Sequence, residues 1–173
     1  AWEGRNFGLF GYLDNAVIKN VTLGKGQIVG YEDCGGIAYK ADNNTLIDRC
    51  VVRTEMSFCN NSGGIVGINK YLVMNCFNTG SMNMTVRGTK NSLNQYIGGI
   101  IGYTSGTVSD CKNNAAIIAP LANEVGGLVG LSSRGLSNLT VENLYNNGKV
   151  EGASKVGGVP NYCRRQSYDD KPN

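Results

Sequence analysis

Apolar residues in this chain come in short runs separated by glycine, asparagine and serine, and the runs recur. One phrase carries the recurrence: GGIAY from Gly35, GGIVG from Gly63, GGIIG from Gly98, GGLVG from Gly126 and GGVPN from Gly157, with a variant GLFG from Gly8. The aligned glycines are Gly8, Gly36, Gly64, Gly99, Gly127 and Gly158, at successive spacings of 28, 28, 35, 28 and 31 residues. A second apolar phrase follows each glycine phrase: VIKNV from Val17, LIDRC from Leu46, LVMNC from Leu72, TVSDC from Thr107 and TVENL from Thr140. A third follows a turn signal, as in TGSM from Thr79, NAAI from Asn114 and NGKV from Asn147. No apolar stripe with the helical period persists beyond one turn. The pattern predicts short strand, turn, short strand, bend, short strand in every unit.

Aligning the second phrases exposes columns. Ile18, Ile47, Val73, Val108 and Val141 form a β-branched column suited to a strand core. Two residues on stand Asn20, Arg49, Asn75, Asp110 and Asn143, then Val21, Cys50, Cys76, Cys111 and Leu144. Two apolar columns three residues apart need a bend between them, and asparagine supplies one by tolerating the left-handed conformation and stacking its amide. Asn78–Thr79–Gly80, Asn113–Asn114–Ala115 and Asn146–Asn147–Gly148 read as tight turns requiring positive φ. Val52, Arg53 and Thr54 lack that chemistry. One such unit cannot bury its own apolar side chains. Stacked units bury them in a continuous column, and a period near 28 residues signals such a solenoid.

The expected fold is therefore all-β: a right-handed parallel β-solenoid of about six coils over residues 1–159. Residues 160–173 are expected to form a polar tail or partial cap through Tyr162, with Trp2 and Phe7 covering the first coil. The paired glycines are expected at a corner where a Cβ would clash or where φ is positive. The long third interval places an insertion within MTVRGTKNSLNQ, from Met84.

Composition narrows function mainly by exclusion. The formal net charge is +3, from 16 basic and 13 acidic residues, with no long basic run, so neither nucleic acid nor a membrane surface is an expected partner. No apolar run reaches the ~20 residues of a helical membrane span. The opening AWEGRN lacks a leader pattern, and the chain is read as a mature or excised segment of a larger polypeptide. Histidine is absent, which removes Ser-His and Cys-His nucleophilic pairs and the commonest metal ligand. Cys50, Cys76 and Cys111 share a core column and read as buried small apolar side chains, while Cys34 and Cys59 lie before successive corners where a disulfide is geometrically open. No close cysteine pair suggests zinc, and neither metal nor cofactor is expected. The GGxxG phrases lack the Lys-Ser/Thr of a phosphate loop. Asp48, Arg49 and Arg53 are the one grouping resembling acid–base machinery.

The glycine phrases resemble the core motif of the GLUG repeat family, named for its Gly-Leu-x-Gly phrase. The family's downstream Asn-x-Gly turn has counterparts at Asn78 and Asn146, and the resemblance covers nearly all of residues 7–159. GGIAY and GGVPN depart from it. The resemblance implies a secreted or surface-anchored bacterial protein, extracellular or at the cell surface. In such proteins the repeats serve as a spacer or adhesive stalk, or as a non-catalytic region of an IgA-specific metallopeptidase. It brings no catalytic residues. The expected function is thus a non-enzymatic structural or adhesive module, with two alternatives: an accessory region of such a surface enzyme, or a carbohydrate-active β-helix enzyme.

Binding residues concentrate on loops. The insertion at residues 86–95, with Tyr96 at its base, offers Arg87, Lys90, Asn91 and Tyr96 as contacts for a host or matrix glycan or protein. Tyr12, Tyr31, Tyr39, Tyr71, Tyr96 and Tyr103 offer an alternative, a sugar-stacking face.

Overall fold

The computed structural model describes residues 2–4, 6–84, 95–133, 140–158 and 160–164. Among them every regular element is a β-strand. The strands form five sheets, and every paired ladder is parallel between consecutive rungs of one coiled chain. This is the parallel β-solenoid that the repeat predicts.

One rung shows the plan. Glu55–Phe58 lies on a methionine-lined face, Ser62–Gly63 on a glycine corner and Val66–Asn69 on a long face. Leu72–Met74 then lies on a valine face and Phe77–Asn78 on an asparagine corner. Each of the four complete rungs therefore has five strands where three were expected. The two extra strands are two or three residues long, too short to show an alternation of their own.

The column alignments are those of the structure. Ile18, Ile47, Val73, Val108 and Val141 stand in register on the valine face. Asn20, Arg49, Asn75, Asp110 and Asn143 all have positive φ, between 52° and 58°. That left-handed residue turns the chain between the two apolar columns, so both point into the same core. Segment Pro160–Arg164, expected to be tail or cap, adds a sixth strand to the long face through Val129↔Pro160 and Leu131↔Tyr162. Proline is tolerated there because the strand lies at the edge of the sheet.

Two expectations about turns are resolved differently. The paired glycines keep ordinary φ and are required by crowding. A Cβ on Gly36 would meet the Gly64 carbonyl oxygen at 2.6 Å and a Val52 methyl at 2.7 Å. On Gly64, Gly99 and Gly127 it would strike the next rung's carbonyl oxygen and the side chains of Asn78, Asn113 and Asn146 respectively. The correction concerns those asparagines, read as positive-φ turn residues. None has positive φ, and Asn78 and Asn113 are fully buried. They face inward, and the glycine opposite each is what makes room for the amide.

Within the stack, Asn78 Nδ2 donates to Asn113 Oδ1 at 3.2 Å, and Asn113 Nδ2 donates to Asn146 Oδ1 at 2.9 Å. Each oxygen also accepts the backbone N–H two residues on, from Gly80, Ala115 and Gly148. The amide thus ties one rung to the next and closes its own turn.

The apolar core has two parts. Ile37, Ile65, Ile100 and Leu128 line the larger, together with the valine and cysteine columns. Met56, Phe58, Met82 and Ile117 lie under the methionine face. Cys34, Cys50, Cys59, Cys76 and Cys111 are all buried free thiols, so Cys34 and Cys59 are not bridged. Burial pushes the Cys34 thiol up to about 12. The Cys76 thiol is raised by its hydrogen bond with Cys111 first and by burial as well.

Raised thiol values give stability that is complete below the unfolded value, about pH 8.5. It declines as pH rises from there through the folded values. Cys76→Ser is expected to lower unfolding free energy by about 1–2 kcal/mol, the hydroxyl keeping the Met74 carbonyl 3.1 Å from the present sulfur as its acceptor. Cys76→Val is expected to cost less. Denaturant midpoints check both, and rapid alkylation of the native thiols would contradict the burial.

Candidate binding surfaces

Of the predicted loop contacts, Arg87, Lys90 and Asn91 lie outside the described residues, and Tyr96 lies within them. The insertion returns to the stack at Gln95, which is buried and donates from Nε2 to the Cys59 carbonyl at 3.2 Å. Tyr96 opens the corner strand Tyr96–Gly98, and its N–H donates to Asn61 Oδ1 at 3.1 Å. Its half-buried ring is tilted 33° against Tyr103, with centroids 5.8 Å apart. On the following rung Glu124 stands in register with Tyr96 and accepts Lys155 Nζ at 2.8 Å. The loop base is thus a pinned element, rigid enough to present a tyrosine pair at fixed height.

A second tyrosine pair lies lower on the stack. Tyr12 and Tyr39 have centroids 6.3 Å apart, and Lys40 Nζ stands 5.1 Å from the Tyr12 ring centroid. Asp42 organises this end. Its carboxylate meets Lys40 Nζ at 2.7 Å, Lys70 Nζ at 3.0 Å and the donating Tyr12 hydroxyl at 3.0 Å. The residues come from three successive rungs of the long face and its end, since Tyr12 registers on Lys40 and Ala41 on Asn69. Their distance in sequence hid the grouping, which follows only once the register is fixed. The tyrosines do not form one continuous sugar-stacking face, because Ile68 stands in register between Lys40 and Tyr103.

Burial alone would raise the Asp42 carboxyl, but the hydrogen bonds from Lys40, Lys70 and Tyr12 outweigh it and hold the group below its ordinary value. A depressed carboxyl gives stability that is present above the unfolded value, about 3.9, and lost as pH falls through the folded one. Asp42→Asn is expected to destabilise by about 1–2 kcal/mol at pH 7 and to flatten the acid limb of stability against pH. Urea titrations from pH 7 down to about pH 2 read both effects.

The grouping with an acid–base appearance has a different use. Asp48 Oδ2 is paired with Arg49 at 3.0 Å, and Oδ1 accepts Asn75 Nδ2 at 2.9 Å. Both oxygens of this buried carboxylate serve the bend at the positive-φ column. Arg53 lies exposed beyond it. Among the described residues no three Cys, Asp or Glu side chains converge in a way that would hold a metal ion.

Set against known proteins, the chain is similar to two immunoglobulin A1 proteases. It is 27% identical over 177 residues to that of Streptococcus sanguinis and 25% identical over 171 residues to that of Streptococcus pneumoniae serotype 4. Each alignment takes in 91% of this chain, which spans only 9% and 8% of those proteins. No protein-family model and no solved structure matches the chain.

Proposed function

We propose that the chain is a non-enzymatic structural or adhesive module of an exported bacterial surface protein, acting outside the cell and built of GLUG-type repeats. The observation that supports this best is the use of the polar side chains. The buried amides run along the stack axis and join rung to rung, as a rigid spacer needs. A second reading is favoured by the similarity to immunoglobulin A1 proteases over 91% of the chain: an accessory, non-catalytic region within a surface enzyme.

On either reading the proposed contacts for a host or matrix glycan or protein are Arg87, Lys90, Asn91 and Tyr96. A glycan array and a panel of matrix proteins test this on the purified chain. Replacing residues 86–94 with a short Asn-Gly turn is expected to abolish most of the binding while shifting stability by less than about 1 kcal/mol, since loop closure depends weakly on length. Binding that survives the replacement would move the contact elsewhere. Cleavage of any polysaccharide in the array, lost in Asp48→Asn, would overturn the non-enzymatic reading in favour of a carbohydrate-active β-helix.

A further inference from the structure

The outer surface of the stack is not uniform. Strands with one solvated side normally alternate apolar inward with polar outward. The methionine face broadly obeys: Gln27, Glu55, Ser57, Asn83 and Glu151 point outward beside Val29 and Ile118. The valine face does not. Val17, Leu46, Leu72 and Thr107 stand in register in one of its two outer columns, and Met74 lies beside Leu72 in the other, among Lys19, Asp48, Ser109 and Glu142. The neighbouring asparagine corner continues the stripe with Val51 and Phe77. One rung thus turns Leu72, Met74 and Phe77 outward together, while Asn78 faces in. The amide ladder accounts for Asn78. Phe77 has no place in that ladder, and Val17 is left 64% exposed.

The rim of the stripe is basic on its lower and middle rungs. Lys19, Arg49, Arg53 and Lys112 are exposed around it, and Lys112 Nζ lies 5.7 Å from the Phe77 ring centroid. Asp110 and Glu142 bound it above. Arg49 occupies a left-handed position, φ 52°, filled by asparagine on three of the other rungs. Arginine is poorly suited to that backbone, and strained residues of this kind cluster at recognition sites. Here it holds a half-exposed guanidinium beside the apolar stripe, paired with Asp48 at 3.0 Å. An apolar centre with an arginine beside it and a charged rim is the usual composition of a protein-recognition surface.

We propose that this stripe seats a segment of a partner protein carrying apolar side chains flanked by Asp or Glu. Apart from the Phe77 ring the centre of the stripe is mainly aliphatic, which suits apolar peptide side chains better than sugar rings, so the occupant is polypeptide. Four rungs at about 4.8 Å and a width of roughly 20 Å give an area on the order of 400 Å², about half of what each partner of a stable protein pair buries. A second copy would set one basic rim against another, so a short acidic segment of a different chain fits better. The surface is separate from the loop at residues 86–95.

The test is selection of a displayed library of random short peptides on the intact chain. Enriched peptides are expected to interleave apolar residues with Asp or Glu and to bind more weakly as salt rises. The double variant Leu72→Asp, Phe77→Asp is expected to lose roughly tenfold or more in affinity for them. Both positions face outward, so circular dichroism should be unchanged. Arg49→Asn restores the residue type of its column but removes the ion-pair partner of Asp48 Oδ2, so its circular dichroism is checked against the parent's, and it is expected to weaken binding and reduce its salt dependence. The loop-shortened variant should bind the peptides as the parent does, which separates this surface from the loop. No enrichment, or enriched peptides held equally by the parent and both stripe variants, would overturn the proposal.

Discussion

Gly99→Ala is expected to lower the unfolding free energy by about 3–5 kcal/mol, among the largest effects of a single methyl group. The new Cβ would fall on the Gly127 carbonyl oxygen of the next rung and on the Asn113 side chain. Neither can retreat. The carbonyl belongs to a backbone packed between rungs, and the amide is held on four sides. Opening the rung spacing at this corner would also lengthen the bonds on both sides, Gly64 N–H to Gly98 O at 3.2 Å and Gly99 N–H to Gly126 O at 3.3 Å. Gly24→Ala is the control. Nothing lies within 4 Å of the place its methyl group would take, and its φ is ordinary. It is expected to be neutral, or to stabilise by up to about 1 kcal/mol through the unfolded state. Thermal and urea unfolding of the pair decide the matter: similar stabilities would mean that the corner does not pack as described.

Asn113→Ala is expected to cost a similar amount, for a different reason. Asn113 is fully buried and uses its full hydrogen-bonding capacity. Nδ2 donates to Asn146 Oδ1 at 2.9 Å and to the Ala115 carbonyl at 3.0 Å. Oδ1 accepts from Asn78 Nδ2 and from the Ala115 N–H, both at 3.2 Å. Alanine orphans four buried partners, and each unsatisfied group costs about 1–3 kcal/mol before relaxation. Relaxation and entering water reduce the total, so about 3–5 kcal/mol is expected. Asn113→Asp should be worse at neutral pH. It loses both donors and sets a carboxylate against the Asn146 and Ala115 oxygens. Protonation restores one donor, so this variant alone should gain stability as pH falls from 7 towards 5. A variant with the parent's pH profile would contradict the ladder.

Much of this fold was legible because its columns repeat at a fixed period. The β-branched column and the left-handed column both emerge from aligning five short phrases, down to Arg49 standing where asparagine is usual. The asparagine corner is misread from the same alignment. Asn78, Asn113 and Asn146 sit in turn-like surroundings, and asparagine followed by glycine or alanine ordinarily marks a surface turn. The contrary signal is Val52, which occupies the same column in the one coil lacking turn chemistry. An apolar residue in register with asparagines marks an inward position. There the chain closes with Thr54, whose hydroxyl donates to the Gly24 carbonyl at 2.6 Å.

The corner strands escape notice because two residues carry no period. The Asp42 grouping joins Tyr12, Lys40 and Lys70 across three rungs, so it exists only in the register. The outward apolar stripe is hidden for the opposite reason. Leu72, Val73 and Met74 form one apolar run, and a run does not tell which of its members faces the core.

The central claim is that inward-facing asparagines bind the rungs of a parallel stack. Nuclear magnetic resonance of the side-chain amides tests it directly. The Nδ2 protons of Asn78 and Asn113 should be protected from exchange with solvent by several orders of magnitude relative to exposed asparagines such as Asn43. A through-space contact should link the Asn78 and Asn113 amide groups. If both exchange as fast as Asn43 and no such contact is seen, the ladder does not exist, and the stack must be held in some other way.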